Sequence, residues 1–429
     1  MERIAVIGSG IAGLAAAREL SREPGARRVT LFEGAGHFGG HAHTVDVTLG
    51  GVTQGVDTGF LVYNERTYPR LVSLFAELDV ETAPSDMSFS VQARNAGLEW
   101  SGTNLAGLFS QKRNLVRPAF WRMLADIARL NRLATGIARR GDEAALEQPI
   151  GDFLDEHRFG REFREWYFLP MIACIWSCPS AQMLAFPVAT LIRFCHNHGL
   201  LQITDRPQWM TVRGGSRNYV RRIVARLDDA RLNTPVLGVK RAEAGALIRT
   251  AGGVEHFDQV VFACHSDQAL RLLGKDATPA ERQVLGAIGY QPNRAVLHTD
   301  ASLLPTRPAA WAAWNYEAVS TGVETGVCLH YLLNRLQPLP WQQPLIVSLN
   351  PVREPRQDAV IQRFDYEHPV FDLAAIAAQR RLPEIQGQRR SWYCGAWVGH
   401  GFHEDGLSAG LAVAQALAQS NPAAGRGAA

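Results

Sequence analysis

The chain has 429 residues, 44 of them basic and 41 acidic, so its formal net charge is +3 at pH 7 and nothing in bulk charge argues for a nucleic-acid partner. The six cysteines contain no CxxC pair. That spacing predicts neither a disulfide framework nor a zinc ribbon, and a reducing cytoplasm fits it best.

The first elements along the chain are predicted to form a strand, helix, strand unit. Ile4 to Gly8 and Val29 to Phe32 are apolar runs, while Ile11 to Leu20 has helical spacing. The two strands are expected to be parallel neighbours. Farther on, the predicted elements are helices through about Tyr68 to His198, strands within Arg231 to Thr250 and at Val260 to Ala263, a helix at about Pro279 to Ala287, strand-like pieces between Gln291 and Gln388, a strand at Trp392 to Ala396 and a closing helix at Leu407 to Ala418.

A glycine motif follows the first predicted strand and opens the first predicted helix. In GSGIAG, Gly8 permits a tight turn, Gly10 lets the backbone approach a pyrophosphate, and Gly13 allows close helix packing. Glu33 follows Gly13 by 20 residues, where a carboxylate accepts hydrogen bonds from ribose hydroxyls. The combination predicts a bound dinucleotide, and a carboxylate at this place disfavours NADP.

A pair of adjacent glycines after the first motif indicates which dinucleotide is bound. Gly39 and Gly40 lie six and seven residues past Glu33 and let the chain double back under a diphosphate toward a flavin ring. The stretch from Val56 to Phe60, which includes Gly59, then passes the ring again. No second GxGxxG occurs in the chain, so no separate nicotinamide domain is predicted. Electrons are therefore expected to come from an organic substrate.

These glycines, Glu33 and the turn at Asp57 to Gly59 resemble the flavin-containing amine oxidase and phytoene desaturase superfamily. At the other end, Tyr393 to Ala396 resembles the strand end of that family, and Asp405 to Gly410 resembles its flavin-facing turn and helix start. Val236 resembles the residue whose backbone holds the adenine. The resemblance implies FAD, with these cofactor-binding residues: Gly8, Gly10, Ile11, Ala12, Gly13, Glu33, Gly39, Gly40, His41, Gly59, Phe60, Val236, Gly395, Asp405, Gly406 and Leu407.

The predicted fold class is α/β, with a Rossmann-type FAD-binding domain and an interleaved α+β substrate domain, as in amine oxidases. Nucleotide-type signals at both ends and in the middle mean that neither domain is continuous. The FAD-binding domain is predicted at residues 1–75, 200–290 and 389–419, and the substrate domain at 76–199 and 291–388. Residues 420–429 are small and polar and are predicted to be a disordered tail.

Two sequence motifs are distinctive within the superfamily: GGHAHTVD from Gly39 to Asp46 and GHGFHEDGLSAG from Gly399 to Gly410. They resemble a bacterial branch often associated with cyclopropane-type fatty acid methyltransferases. That resemblance implies a lipid acyl chain as substrate and a methyltransferase as a partner.

Four histidines fall in the two segments expected to converge on the flavin ring: His41, His43, His400 and His403. A histidine there could exchange a proton beside a hydride transfer or attach to the flavin. Alternatively, all four only hydrogen-bond backbone and phosphate groups. His403 is the first catalytic candidate, while Asp405 or Glu404 could be a base but is more often a helix cap or a ligand of the flavin's ribityl chain.

Aromatic side chains between the two flavin segments are the candidates for substrate contact. Trp166, Phe168 and Trp176 could line an apolar tunnel, and Trp314 and Tyr316 could form the pocket wall opposite the flavin. The competing interpretation is ordinary core, because the same spacing occurs in buried helices. Trp209, with Gly214 and Gly215, resembles the family's Gly-Gly stretch near the substrate, or it belongs to a loop before a helix. His196 and His198 beside Cys195 form a short cluster without further spaced ligands, so no metal site is predicted.

The stretch from Lys112 to Arg140 carries many basic residues against one acid, Asp126, with Phe120 and Trp121 among them. Such a helix suits an anionic bilayer surface, or it is a solvated helix face. No apolar run reaches the roughly 18 residues of a spanning helix, and the N-terminus begins directly in a strand pattern. A cytoplasmic location is expected, with peripheral contact to the inner membrane possible through this helix.

The function predicted from these observations is FAD-dependent dehydrogenation or desaturation of a hydrophobic fatty acyl chain, methylated or phospholipid-linked, by hydride transfer to flavin N5. Amine oxidases of the resembled family place a lysine near N5, whereas no lysine follows Lys275 here. His403 also stands where a tyrosine of their aromatic cage is expected. Amine oxidation with release of hydrogen peroxide stays open, as does a non-redox lipid isomerase or a flavin-carrying partner of a methyltransferase.

Overall fold

The computed structural model describes residues 1–23, 25–140, 148–176, 180–200, 207–318 and 328–420. Residues 421–429 of the predicted disordered tail lie outside this range. Strands and helices both contribute throughout, so the predicted α/β class is confirmed.

The strands of the described residues are β1 (Glu2–Ile7), β2 (Arg27–Phe32), β3 (Thr44–Leu49), β4 (Val52–Asp57), β5 (Tyr63–Asn64), β6 (Thr82–Ser85), β7 (Phe89–Ala93), β8 (Leu98–Ser101), β9 (Trp209–Val212), β10 (Asp229–Arg231), β11 (Gly238–Ala242), β12 (Gly245–Thr250), β13 (Gly253–Phe257), β14 (Gln259–Phe262), β15 (Gly289–His298), β16 (Trp314–Ala318), β17 (Cys328–Leu332), β18 (Ile346–Leu349), β19 (Val360–Val370) and β20 (Ser391–Tyr393).

The helices of the described residues are α1 (Ile11–Leu20), α2 (Pro69–Glu77), α3 (Leu105–Leu108), α4 (Pro118–Arg140), α5 (Ile150–Glu156), α6 (Arg161–Phe163), α7 (Leu169–Trp176), α8 (Ser180–Leu184), α9 (Val188–Asn197), α10 (Arg217–Val224), α11 (Ser266–Leu273), α12 (Pro279–Gly286), α13 (Leu333–Leu336), α14 (Leu373–Arg381) and α15 (His403–Ser420). None of them is both long and apolar enough to cross a membrane.

A parallel sheet forms the first layer, in the order β10-β2-β1-β14-β20. The predicted strand, helix, strand unit is confirmed, with β1 and β2 as parallel neighbours and α1 between them. Residues Ile4 to Ile7 of β1 are buried on both faces, as expected for a central parallel strand. The sheet thus brings together the two ends of the chain, and the loops after β1, β14 and β20 leave the same edge.

Small residues let α15 lie directly against α1. A Cβ on Gly410 would stand 2.1 Å from the Ala12 carbonyl oxygen, and one on Gly406 would stand 2.8 Å from Ile11 Cγ2. A larger side chain at either position would push the closing helix away from the glycine motif. Helix contact, and not only turn chemistry, therefore explains the small residues near the C-terminus.

A second sheet, largely antiparallel, has the order β19-β15-β18-β17-β16-β7-β8. Side chains alternate between its faces. Trp314 and Tyr331 point toward a large cavity, while Asn315 and His330, their neighbours along β16 and β17, are buried on the other face. This sheet forms the wall opposite the glycine motif.

Three local predictions are corrected. The interval from Tyr68 to His198, predicted as helical, also contains β6, β7 and β8, because β7 pairs with the distant β16 and this pairing overrides local pattern. The closing helix begins at His403 instead of Leu407, since Glu404 and Asp405 favour a first turn through the helix dipole. The last strand ends at Tyr393, where the chain leaves the sheet.

A buried ion network fastens β20 to the elements around it. Arg241 is fully buried, donates to Asp276 Oδ2 at 2.8 Å and binds both carboxylate oxygens of Glu281. The Tyr393 hydroxyl donates to Glu281 Oε1 at 2.6 Å. Glu281 also completes a capping box with Thr278 at the start of α12. The network therefore ties β11, α12 and β20 into one unit.

Candidate functional site

Three glycine segments stack at the carboxyl edge of the parallel sheet. The backbone of Gly39 forms a bridge with Gly10, and the Gly39 amide donates to the Ser9 carbonyl at 3.1 Å. The Phe60 amide donates to the His41 carbonyl at 2.7 Å, and a Cβ on Gly59 would stand 2.3 Å from that oxygen. The chain thus doubles back under the first loop and passes it again, in the geometry expected of a dinucleotide cradle.

These segments border one cavity of about 500 Å³. The predicted cofactor-binding residues that line it are Gly8, Gly10, Ile11, Ala12, Glu33, Gly39, Gly40, His41, Gly59, Phe60 and Gly395. The cavity continues past this cradle toward the second sheet.

Two observations show that the cradle fits FAD. A Cβ on Gly10 would meet no protein atom within 4 Å, so the helix start of α1 faces open space in the cavity. The buried Nε2 atom of His41 makes no hydrogen bond to a described residue, although His41 lines the same cavity. Glu33 accepts bonds from the Ser9 amide at 3.0 Å and the Ala35 amide at 2.8 Å, which hold its carboxylate at the cavity edge.

The remaining predicted cofactor residues are not among those that line the cavity, and their contact with the cofactor stays a prediction. Gly13 packs against the first turn, where an added Cβ would stand 1.9 Å from the Gly8 carbonyl. Gly406 and Leu407 pack between α15 and the core. Asp405 accepts from the amides of His400 and Phe402 and so closes its own turn. Val236 packs beside Phe32 and its neighbours, on the loop that follows β10.

The four predicted histidines do not all meet. His41 and His403 line the cavity. His43 lies behind it, where its Nδ1 atom pairs with the Tyr366 hydroxyl at 2.9 Å. His400 lines a neighbouring cavity of about 540 Å³ that shares Tyr68, Phe194 and Phe402 with the first.

His403 is held in a fixed position. Its Nε2 atom pairs with the Tyr219 hydroxyl at 2.6 Å, and its ring stacks on Phe60 with centroids 3.8 Å apart. Burial lowers the pKa of His403 to about 3. A neutral imidazole whose nitrogen is already engaged is a weak proton acceptor, so this geometry favours a positioning role over the predicted role as base.

Burial keeps the other histidines around the cavity neutral as well. Burial and the nearby His37 lower the pKa of His43 to about 4. Burial and the nearby His265 likewise lower the pKa of His368 to about 4. The pKa of His41 is lowered by burial and by His368, and the pKa of His265 is lowered by burial. These rings therefore act as hydrogen-bonding groups and not as cations at neutral pH.

The predicted substrate residues divide into two groups. Trp209 and Trp314 line the cavity. Trp166, Phe168, Trp176 and Tyr316 are buried in the cores of the helices and second sheet and are not among the lining residues, which favours the core interpretation over the wall. Helical aromatic spacing is the same for core and for wall, and here the core interpretation holds.

Beyond the cradle the cavity is bounded by what we call the apolar wall. Its members are Leu61, Val62, Met87, Phe89, Met171, Cys174, Ile175, Phe194, Leu200, Trp209, Trp314, Tyr331 and Phe402. Sequence reasoning missed most of them, because they come from loops, β7, α7, α9 and β17, which share no motif.

Sequence reasoning also missed a polar group on the cradle side. The His265 ring stacks on Tyr290 with centroids 4.3 Å apart, and its Nδ1 atom lies 3.5 Å from Glu367 Oε2. The ring centroids of His368 and His41 are 5.2 Å apart. All four of these newly found residues line the cavity. The pairing of β15 with β19 brings Tyr290, Glu367 and His368 there, and the loop after β14 brings His265. No motif in the local sequence marks them.

Glu404, which sequence left open as a base or a cap, is a cap. Its oxygens accept from the amides of Arg70 at 2.8 Å and Leu71 at 3.0 Å, at the start of α2. His198, part of the short cluster near Cys195, stacks on Phe194 and bonds its carbonyl oxygen. Neither residue is placed to meet a substrate at the cradle.

One cluster of the described residues is compact enough to hold a metal ion. The ligand atoms of Glu317, Cys328 and His330 lie within 4.8 Å of one another, on the face of the second sheet away from the cavity. Burial raises the pKa of Glu317, but hydrogen bonds from His330 and Arg94 outweigh it and lower that pKa to about 2. The carboxylate charge is thus compensated within the protein.

A family model of flavin containing amine oxidoreductases matches residues 11–304 of the chain. AofH of Mycobacterium tuberculosis, assigned as a flavin-containing monoamine oxidase, is 27% identical over 296 residues, which cover 66% of this chain and 61% of that protein. The chain thus spans about three fifths of the length of this relative.

Solved structures of similar fold cover nearly the whole chain. Cyclohexylamine oxidase from Brevibacterium oxydans has a TM-score of 0.68 at 16% identity, covering 98% of this chain and 99% of its own. A fatty acid isomerase from P. acnes that produces CLA has a TM-score of 0.66 at 15% identity, covering 98% of each chain. Identities this low establish the shared fold and leave the substrate open.

Proposed function

Because the chain belongs to the flavin-containing amine oxidoreductase family, we propose that it is an FAD-dependent oxidoreductase that dehydrogenates a hydrophobic acyl chain. The observation that carries the substrate class is the apolar wall. Among the described residues that line the cavity there is no lysine or arginine, and the only carboxylates are Glu33 and Glu367 on the cradle side. Uncharged chains gain from burial against such a wall, whereas an ammonium group would need a charged partner there.

The cradle residues would hold FAD in an extended form. The amides at the start of α1 would face the phosphates, and the Glu33 carboxylate would accept hydrogen bonds from ribose hydroxyls. The flavin ring would lie between the His41 and His403 segments. When bound, FAD supplies a two-electron oxidant.

The residues around the ring position the substrate and exclude water. Phe60 and His403 form a stacked pair, and the Tyr219 hydroxyl fixes its orientation. The buried Nε2 atom of His41 makes no hydrogen bond to a described residue, and the rings of Tyr366 and His368 flank the His41 ring with centroids 5.1 and 5.2 Å away. We assign His41 the role of hydrogen-bonding group beside the reacting carbon or the cofactor.

We expect His41→Leu to slow flavin reduction roughly tenfold, because one hydrogen bond of about 1.4 kcal/mol is lost. His43→Leu is the matched control, since His43 lies outside the cavity, and its rate should stay within about twofold of the parent. Stopped-flow absorbance under anaerobic conditions measures both. Equal rates for the parent and the His41 variant would remove His41 from the site.

The rate of flavin reduction should be independent of pH between about pH 5 and pH 8. Burial lowers the pKa of His43 and of His368 to about 4 and that of His403 to about 3, and it lowers the pKa of His41 well below its usual value, so these four rings are already neutral throughout this window. An acyl chain does not ionise there either. Rates measured in overlapping buffers that follow a single ionisation near about 6.5 would contradict this account.

Product analysis tests the proposed reaction itself. After aerobic incubation with phospholipids that carry saturated or methyl-branched chains, mass spectrometry should show products lighter by two hydrogens. An unchanged mass with a moved double bond would make the protein an isomerase, and products only from amines would make it an amine oxidase. Either result would overturn the proposal. The methyltransferase partner remains a separate proposal, which a pulldown with the purified methyltransferase tests.

A further inference from the structure

A polar cavity lies at the edge of the second sheet, apart from the flavin cradle. Its volume is about 500 Å³, and its walls come from β7, the turn before β8, the residues that lead into α4 and the loop before Pro308. Four lining side chains are cations, Arg94, Lys112, Arg113 and Arg307, and among the described lining residues the only carboxylate is Glu99. We call it the basic cavity.

The positive charge of the basic cavity is only partly compensated. Arg307 donates to Glu99 at 3.2 Å, and Arg94 binds Glu317 behind it. Lys112 and Arg113 are exposed, and Arg113 donates only to the neutral Gln111, at 3.5 Å. The sequence has no acidic residue between Glu99 and Asp126. The mouth of the cavity is therefore suited to an anion.

Exposed apolar side chains follow the cations Lys112 and Arg113 along the chain. Leu115 is 49% exposed and Val116 82%, and they lie two and three residues after Arg113 in the same 3-10 turn. Trp121 is 49% exposed, and its indole nitrogen donates to the Leu115 carbonyl at 2.8 Å. Its ring also packs 5.9 Å from Phe109. These contacts hold a tryptophan and two aliphatic side chains in one exposed patch beside the cations.

We propose that this face docks the protein onto an anionic lipid bilayer, with a head-group phosphate in the basic cavity and Leu115, Val116 and Trp121 in the interface. Exposed apolar side chains gain from burial at the acyl boundary, and the adjacent cations are attracted to anionic lipid. A soluble polyanion would use the cations but leave the apolar patch in water. The proposal does not depend on the redox function, since neither cavity shares a residue with the other.

The contacts of α4 restrict the docking face to its N-terminal end. Farther along, Arg122 is bound to Glu162, and Arg129 pairs with Asp126 at 2.9 Å. Arg139 and Arg140 lie at the far end of the helix, about 27 Å from Trp121 at 1.5 Å per residue. The membrane contact was predicted for the whole basic helix. The proposed face includes only the N-terminal end of α4, together with the residues of the basic cavity.

Sedimentation with vesicles tests the proposal on the flavin-loaded protein. Vesicles of phosphatidylglycerol and phosphatidylcholine should bind the parent, and vesicles of phosphatidylcholine alone should bind it much less. The double variant Lys112→Gln/Arg113→Gln should weaken binding roughly thirtyfold, from two cations near the surface. Val116→Ser and Trp121→Ala should each weaken it several-fold, and thermal unfolding and flavin content would show that the variants remain folded.

The double variant Arg139→Gln/Arg140→Gln removes the same charge from the far end of α4 and is the matched control. We expect its binding to anionic vesicles to stay within about twofold of the parent. Equal weakening by the two double variants would show unspecific charge attraction and overturn the proposal. It would also be overturned if inorganic phosphate bound in a manner dependent on Lys112 and Arg113 while anionic vesicles did not bind, because the cavity would then hold a free anion.

Discussion

Gly10→Val is expected to give a folded protein that purifies without flavin. At Gly10 the backbone has φ of −60°, which any residue adopts, and an added Cβ meets no protein atom within 4 Å. The new side chain would instead fill the space in front of the α1 amides, which would hold the diphosphate. Affinity for FAD should fall roughly a thousandfold, equivalent to about 4 kcal/mol, measured by flavin fluorescence titration of the flavin-free protein.

Gly13→Val separates this effect from unfolding. A Cβ on Gly13 would stand 1.9 Å from the Gly8 carbonyl oxygen, so the first turn itself must move. That variant should lose both flavin and thermal stability, whereas Gly10→Val should lose flavin alone. Retention of full flavin by Gly10→Val would place the cofactor elsewhere in the cavity.

Arg241→Met should lower the free energy of unfolding by about 3–5 kcal/mol, because it leaves the Glu281 carboxylate buried without its cation. Glu281 is 1% exposed and holds the Tyr393 hydroxyl, so the effect should also loosen β20 and the chain that follows it toward the cradle. Urea unfolding of the flavin-free protein, followed by tryptophan fluorescence, measures the change.

Two variants make the result specific to the buried pair. Arg389→Met removes a cation that also binds Asp276 but is 43% exposed, and it should cost less than about 1 kcal/mol. Arg241→Met with Glu281→Gln removes both charges and should recover part of the loss. A loss for Arg241→Met no larger than that for Arg389→Met would mean that the network does not secure β20.

The cradle was the part of the site that sequence could predict. The residues that predict it lie in one short stretch: the glycines of the first loop, Glu33, Gly39 and Gly40. Glycines at this spacing, followed by an acid, are typical of a dinucleotide-binding turn. The parallel pairing of β1 with β2 followed from the same stretch. The predicted Gly406 was near its place but packs against α1, because small residues serve helix contact as well as turns.

The wall of the site could not be predicted, because it depends on pairing between distant strands. Phe89 of β7 and Trp314 of β16 are paired residues in adjacent strands. The next pair along these strands, Ser90 and Asn315, is separated by 225 residues in the sequence. His368 reaches His41 only because β19 pairs with β15. Conversely, Trp166 and Trp176 had the residue type expected of a wall but are core, since burial by neighbouring helices is not visible in local spacing.

The measurement that tests the central claim most directly is the absorbance spectrum of the purified protein, recorded anaerobically before and after addition of a total lipid extract from the host. The account predicts a flavin band near roughly 450 nm that bleaches with the extract and does not bleach with simple amines. A flavin band that stays oxidised with the extract but bleaches with amines would contradict the acyl substrate. Absence of any flavin band would contradict the cofactor assignment itself.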